Sequence, residues 1–283
     1  MSRSRQNKSY AKKSLGQNFL ADQNYVEKLI VSLDPKRDET IVEIGAGRGA
    51  LTKKLVHEAG KVLAIEIDRD LTPILRDEFG DHDNFHLIEQ DALELDFKSL
   101  LALQSIPLKT KLVANLPYYI STAILQHLIS FRKSISEMVL MLQKEVVERI
   151  TARPGTRERG FLTVLIEAYF EAENLFDVPP DAFRPAPKVW SSVIRLRPKS
   201  GGFPVDEELF RDVVSLGFGQ KRKTILNNLK NAKGDLGERI ESKGGVNKTL
   251  KETGVDPGQR AETIDIDHWI ELADYLSGND PDN

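Results

Sequence analysis

Thr40-Ile41-Val42-Glu43-Ile44-Gly45-Ala46-Gly47-Arg48-Gly49-Ala50 is the stretch that decides the fold. Its first half is a β-branched run interrupted by one acid, the composition of a strand covered on both faces. Its second half places glycines at 45, 47 and 49, so the chain can turn sharply and open a helix over residues 50–58. The same alternation continues downstream. Strand patterns at 61–67, 85–89, 112–114 and 137–142 are separated by helical patterns at 71–79 and 121–129. Strand–helix alternation of this kind predicts an α/β, Rossmann-like, mostly parallel sheet, with its site at the carboxyl ends of the strands.

Working outward, Asp22 is placed to cap a helix running to about Leu33, with Tyr25, Val26, Leu29 and Ile30 on one face. Beyond a Pro/Gly/Arg-rich loop at 153–160, residues 169–178 and 189–196 alternate as strands. Prolines 179, 180, 185 and 187 lie between them, the pattern of an antiparallel pair. The stretch PKSGGFP at 198–204 is the best boundary, and the chain beyond it is helical in pattern. Two domains are therefore expected: residues 1–198 as an N-terminal arm plus catalytic domain, and residues 205–283 as a smaller α-helical domain.

The net charge of −3 hides a segregated distribution. Arg3, Arg5, Lys8, Lys12 and Lys13 open the chain with no acid among them. Lys221, Arg222, Lys223, Lys230 and Lys233 form a second basic stretch, and after Thr263 there are acids but no Lys or Arg. The absence of cysteine excludes disulfides and thiolate metal sites. The five histidines lack metal-ligand spacing, so no metal is expected. No apolar run reaches membrane-spanning length and no signal peptide is legible, so a cytoplasmic protein is expected.

The glycine loop fits G-x-G-x-x-G/A as Gly45, Gly47 and Ala50, a pattern shared with nicotinamide enzymes. Glu66, about 20 residues on, suits a ribose hydroxyl pair in either class. Glu43 before the loop and Asp91 in Gln90-Asp91-Ala92 make an acidic pocket with Glu66. That suits a sulfonium cofactor with an adenine amine and suits a pyrophosphate poorly. Arg48 alone argues the other way. The tetrapeptide Asn115-Leu116-Pro117-Tyr118 then selects the chemistry. The Asn115 oxygen and a free backbone carbonyl can accept both N–H bonds of an exocyclic amine, and Tyr118 can stack on its ring.

These motifs, in this order, resemble the small-subunit (16S) ribosomal RNA adenine dimethyltransferases of the KsgA type. Residues 14–20 (SLGQNFL), 183–189 (FRPAPKV), Arg222-Lys223-Thr224 and Arg260-Ala261-Glu262 extend the likeness over nearly the whole chain. The resemblance implies transfer of two methyls from S-adenosylmethionine to N6 of each of two adjacent adenosines in the 3′-terminal hairpin of 16S rRNA, in the 30S subunit, with a role in its biogenesis. It implies that Gln17, Asn18 and Leu20 close over the cofactor, Gly45 lies against its methionine part, Glu66 holds the ribose and Asp91 the adenine amine, with Glu43, Gly47 and Ala92 also among the cofactor-binding residues. Asn115 would sit between cofactor and target, and Phe183 would face Tyr118 across a flipped adenine. Ala46 and Trp190 depart from the usual pattern, which has Pro and a small polar residue there. RNA docking is expected at Lys221, Arg222, Lys223 and Lys230, read as one helix face, helped by Arg153, Arg157 and Arg159. A monomer is expected. The alternatives are an Erm-type 23S rRNA enzyme, a methyltransferase-like RNA-binding assembly factor without turnover and, more distantly, a nicotinamide dehydrogenase.

Overall fold

A strand of unbroken apolar residues is stable only where both faces are covered, and the centre of this protein is built from such strands. The computed structural model describes residues 16–103 and 109–278. Its strands are β1 (Phe19–Leu20), β2 (Thr40–Ile44), β3 (Lys61–Glu66), β4 (Phe85–Glu89), β5 (Thr110–Asn115), β6 (Ile135–Gln143), β7 (Phe170–Val178), β8 (Phe183–Arg184) and β9 (Ser191–Pro198). Seven of them form one sheet in the order β4-β3-β2-β5-β6-β9-β7. The first five are parallel, and β9 adds antiparallel to β6. Ile41, Val42, Leu112, Val113 and Met138 through Leu142 are fully buried at its centre. The short β1 pairs antiparallel with β8 as a separate ribbon, Leu20 opposite Phe183.

The helices are α1 (Gln23–Leu33), α2 (Thr52–Glu58), α3 (Thr72–Phe79), α4 (Phe97–Leu103), α5 (Ser121–Ser130), α6 (Lys144–Ile150), α7 (Phe161–Tyr169), α8 (Glu207–Gly217), α9 (Ile225–Leu229), α10 (Gly234–Ser242), α11 (Val246–Glu252) and α12 (Ile266–Ser277). Asp22 caps α1 as expected, its carboxylate accepting from the Asn24 N–H at 2.8 Å. Among the described residues no helix is long and apolar enough to cross a membrane.

The chain divides into two compact units, residues 1–147 with 172–198, and residues 148–171 with 199–283. One break falls after Pro198. Residues 148–171 join the helical unit, which redraws the expected single boundary. The physical reason is apolar: Tyr169 at the end of α7 packs edge-to-face on Phe203 and Phe210, with ring centroids 4.8 Å and 6.0 Å away. In the same unit Trp269 is fully buried and stacks on Phe218. The basic arm and the start of the SLGQNFL motif at 14–15 lie outside the described residues, as do Asp280 and Asp282.

Candidate active site

Parallel strands end together, so residues just past β2, β3, β4 and β5 converge on one edge of the sheet. There the structure has a cavity of about 280 Å³ lined by Gly45 and Gly47 after β2, Glu66 and Ile67 at β3, Asp91 and Ala92 after β4, and Asn115 through Ile120 after β5. Gly16, Gln17, Asn18 and Phe19 complete the lining from the chain's N-terminal side.

Glu66 fixes the glycine loop. One carboxylate oxygen accepts from the Gly47 N–H at 2.8 Å and the other from the Asp68 N–H at 2.9 Å. A carboxylate has about four acceptor sites, so ligand hydroxyls still find lone pairs. Burial pushes the Glu66 carboxyl up, and the two backbone bonds pull the other way. Gly47 needs its own identity: its φ is +59°, and a Cβ would press on the Phe19 ring at 3.2 Å. Asp91 closes its own turn, accepting from the Leu93 N–H at 2.9 Å.

Asn115 ends β5 with its carboxamide oriented by the chain. Its Nδ2 donates to the Asn18 carbonyl at 3.1 Å, which leaves Oδ1 as the acceptor unused among the described residues. Among the described residues no donor takes the Leu116 carbonyl. The Tyr118 hydroxyl and the Ser191 hydroxyl share a hydrogen bond of 2.6 Å, and burial raises the phenol's pKa. The tyrosine is therefore neutral and anchored, a flat surface rather than a base.

The structure thus brings together Gln17, Asn18, Gly45, Gly47, Glu66, Asp91, Ala92 and Asn115 through Tyr118, all on one cavity. Three expected members fall outside its lining. Glu43 is buried below the loop, where Thr52 Oγ1 donates to it at 2.6 Å. Burial pushes its carboxyl up to about 8, so at neutral pH it is mostly uncharged. Leu20 and Phe183 are buried opposite each other in the β1–β8 ribbon, inside the core. Phe183 has no exposed face with which to meet a base, because the apolar area it buries outweighs what an open site would return. Arg48, the expected dissent, is exposed beside the cavity with its guanidinium over the Phe19 ring at 4.9 Å. Its charge is kept off the lining.

Phe19, Ile67, Gln90 and Tyr119 line the cavity without having been expected there. Phe19 lies inside the SLGQNFL stretch and Tyr119 directly follows the Asn115–Tyr118 tetrapeptide. Ile67 directly follows Glu66 and stays half exposed on the cavity.

The RNA-binding expectation is partly redrawn. Lys221, Arg222 and Lys223 lie in the turn before α9, and Lys230 follows its end, so they do not share a helix face. Lys221 Nζ donates to the Arg157 carbonyl at 2.6 Å, which joins that turn to the 153–160 loop within the helical unit. Arg153, Arg157, Lys221, Arg222, Lys223 and Lys230 are exposed. Arg159 is fully buried, paired with Glu167 at 2.6 Å and donating to the carbonyls of Ala152 and Ile264. It holds the unit together and is unavailable to RNA.

Comparison with known proteins places this geometry. A family model described as ribosomal RNA adenine dimethylase matches residues 8–277. The chain is 42% identical over 269 residues to the ribosomal RNA small subunit methyltransferase A of Hahella chejuensis (strain KCTC 2396), covering 94% of this chain and 93% of that one. To its namesake from Geobacillus thermodenitrificans (strain NG80-2) it is 43% identical over 269 residues, with coverage of 94% and 90%. Among solved structures it is similar to a dimethyladenosine transferase from Plasmodium falciparum, with TM-score 0.73, 26% identity and coverage of 90% and 95%. It is also similar to the 23S rRNA methyltransferase ErmE, with TM-score 0.66, 26% identity and coverage of 92% and 99%.

Proposed function

The chain belongs to the ribosomal RNA adenine dimethylases, and from that premise we propose that it dimethylates N6 of two adjacent adenosines in the 3′-terminal hairpin of 16S rRNA in the 30S subunit. The observation that carries this reading is the convergence of Glu66, Asp91, Asn115 and Tyr118 on one cavity, with the Asn115 oxygen unused among the described residues. The cofactor is S-adenosylmethionine, and the lining fits it: among the described residues it holds two carboxylates and no cation, which suits a sulfonium and an adenine amine. Glu66 holds the ribose, Asp91 and Ala92 the adenine, and Gly45, Gly47, Gln17 and Asn18 the methionine end. The cofactor supplies an electrophilic methyl on a positive sulfur.

The chain's own residues prepare the nucleophile. The lone pair of an aromatic amine is delocalised into its ring, so the free base attacks poorly. Asn115 Oδ1 and the Leu116 carbonyl accept the two N–H bonds, which favours a pyramidal nitrogen and directs its lone pair at the methyl. Pro117, lacking an N–H, keeps a competing donor away. Tyr118 stacks on the extruded base, an interaction worth about 1–3 kcal/mol. Transfer makes the amine proton acidic, so it leaves to water and no strong base is needed; the contribution is positioning and fixed dipoles. The curated relatives' small-subunit name supports this target over 23S rRNA. A role in small-subunit biogenesis in the cytoplasm follows from the same reading.

The test is a primer-extension stop assay on 30S subunits from a strain lacking this protein. Adding protein and S-adenosylmethionine should create stops at two adjacent adenosines near the 3′ end of 16S rRNA. Stops in 23S rRNA instead, or none, would overturn the reading.

A further inference from the structure

Of the five large apolar side chains left well exposed among the described residues, two line the cavity and two directly precede a residue bonded to its wall. Ile67 and Tyr119 line it; Val189 and Trp190 immediately precede Ser191, whose hydroxyl bonds Tyr118. Trp190 is 50% exposed, whereas the chain's other tryptophan, Trp269, is fully buried. Leaving the largest apolar side chain in water is unfavourable, and here it stands next to a second exposed apolar residue, Val189, in the segment that leads to the cavity wall. The position is also where the sequence departs from the pattern it resembles.

We propose that Trp190 is a stacking surface for the unpaired base adjacent to the one gripped at Asn115–Tyr118, with Lys188 meeting the neighbouring phosphate. This rests on the rRNA reading above. Removing one base from its stack strips its neighbour of a stacking partner, and an aromatic face offsets that loss whatever the base. Where two adjacent adenosines are both modified, the neighbour is a purine whichever of them is held. Trp190 is well fixed for the task. Its carbonyl accepts from the Lys144 N–H at 2.9 Å, Ser191 starts β9, and prolines 185 and 187 stiffen the approach. The charge suits a phosphate chain. From Phe183 to Ser192 the sequence holds Arg184 and Lys188 and no acid, and Lys188 is exposed with no ion pair among the described residues. Two exposed residues are far too little area for a stable second copy of the chain, and the acid-free basic segment around them favours a nucleic acid as the occupant.

The experiment measures kcat and KM for unmethylated 30S subunits with Trp190→Ala, Trp190→Leu and Trp190→Phe beside the wild type, with S-adenosylmethionine affinity and melting temperature as controls. Stacking predicts that Ala and Leu raise KM about 10-fold while Phe stays within about 3-fold. Cofactor affinity and melting temperature should not move in any of the three. A Leu variant equal to wild type would mean simple apolar contact and would overturn the proposal. So would an Ala variant with unchanged KM, or a wild type that dimerises through Trp190 without RNA. An inactive wild type would instead remove the rRNA reading, and the stacking role with it.

Discussion

The cavity at the end of the parallel sheet and the basic corner of the helical unit both concentrate charge, and they do so by opposite means. At the cavity the acids are withdrawn from water: Glu66 is held by two backbone N–H groups, and Glu43, outside the lining and mostly uncharged, lies beneath the loop against Thr52. At the basic corner six cations stand exposed on turns and loops, and only Arg159 has been taken inside. A buried ionisable group requires a matched partner at a fixed place, whereas a solvated one requires none. The first kind therefore writes a motif into the sequence, and the second writes only a local excess of Lys and Arg.

The sharpest way to break this contrast is to make the buried acid permanently neutral. The Glu43 carboxyl titrates near 8 when folded against about 4.5 unfolded, so the folded state holds a proton that the unfolded chain has lost. Stability from this group is then fully present below pH 4.5, falls as pH rises towards 8 and is level above it. Glu43→Gln should remove that slope. It should match wild type near pH 5 and exceed it at pH 9, on the order of a few kcal/mol. Urea midpoints at pH 5, 7 and 9 decide, and parallel curves would show that Glu43 is ionised in the fold.

Next in size is Arg159→Ala, which leaves Glu167 and two carbonyls without their partner. It should cost about 3 kcal/mol in denaturant unfolding, while Arg153→Ala and Arg157→Ala cost almost nothing. Equal effects for all three would erase the distinction between the buried and the solvated arginine.

Asn115→Ala should leave folding and most of the cofactor affinity intact yet slow methyl transfer by at least about 100-fold. A near-normal single-turnover rate on 30S subunits would remove the acceptor role. Glu66→Ala comes after it, with S-adenosylmethionine affinity weakened by about 1–3 kcal/mol in titration calorimetry. Unchanged affinity would take Glu66 out of the binding contacts and leave it a support for the glycine loop.

The smallest expected effect per side chain is at the exposed corner. Replacing Lys221, Arg222 and Lys223 together by Ala should lower 30S affinity about 10-fold at low salt and less at high salt, with a salt slope shallower by about 2. Cofactor affinity should be unaffected. Equal affinity and parallel slopes would show that these cations are only solvated surface.

How far the sequence could be read obeys the same division. The five parallel strands, the glycine turn, and the meeting of Glu66, Asp91 and Asn115 at one strand edge were legible, because each residue type is demanded where it stands. Arg159 was not. It sits in a loop whose composition reads as surface, and its burial depends on Ile264, 105 residues away. Phe183 read as a site aromatic only through the family resemblance, whereas its pairing with Leu20 draws it into the core. Lys223 and Lys230 looked like one helix face by spacing, but Thr224 caps α9 and starts the helix only after the basic triplet.

The ribbon of β1 and β8 carries a consequence for how the protein is made. Phe19 and Leu20 emerge from the ribosome roughly 160 residues before Phe183 and Arg184, a delay of about 10–30 s at ordinary rates of synthesis. The parallel strands β2 to β5 can assemble during that wait and already offer Asp68 and Asn115 to Gln17 and Asn18, but the strand that pairs with Phe19 and Leu20 is missing until it ends. A nascent chain therefore holds every residue of its pocket lining well before it can fasten that wall into the core, and its grip on the cofactor should tighten late in its own translation.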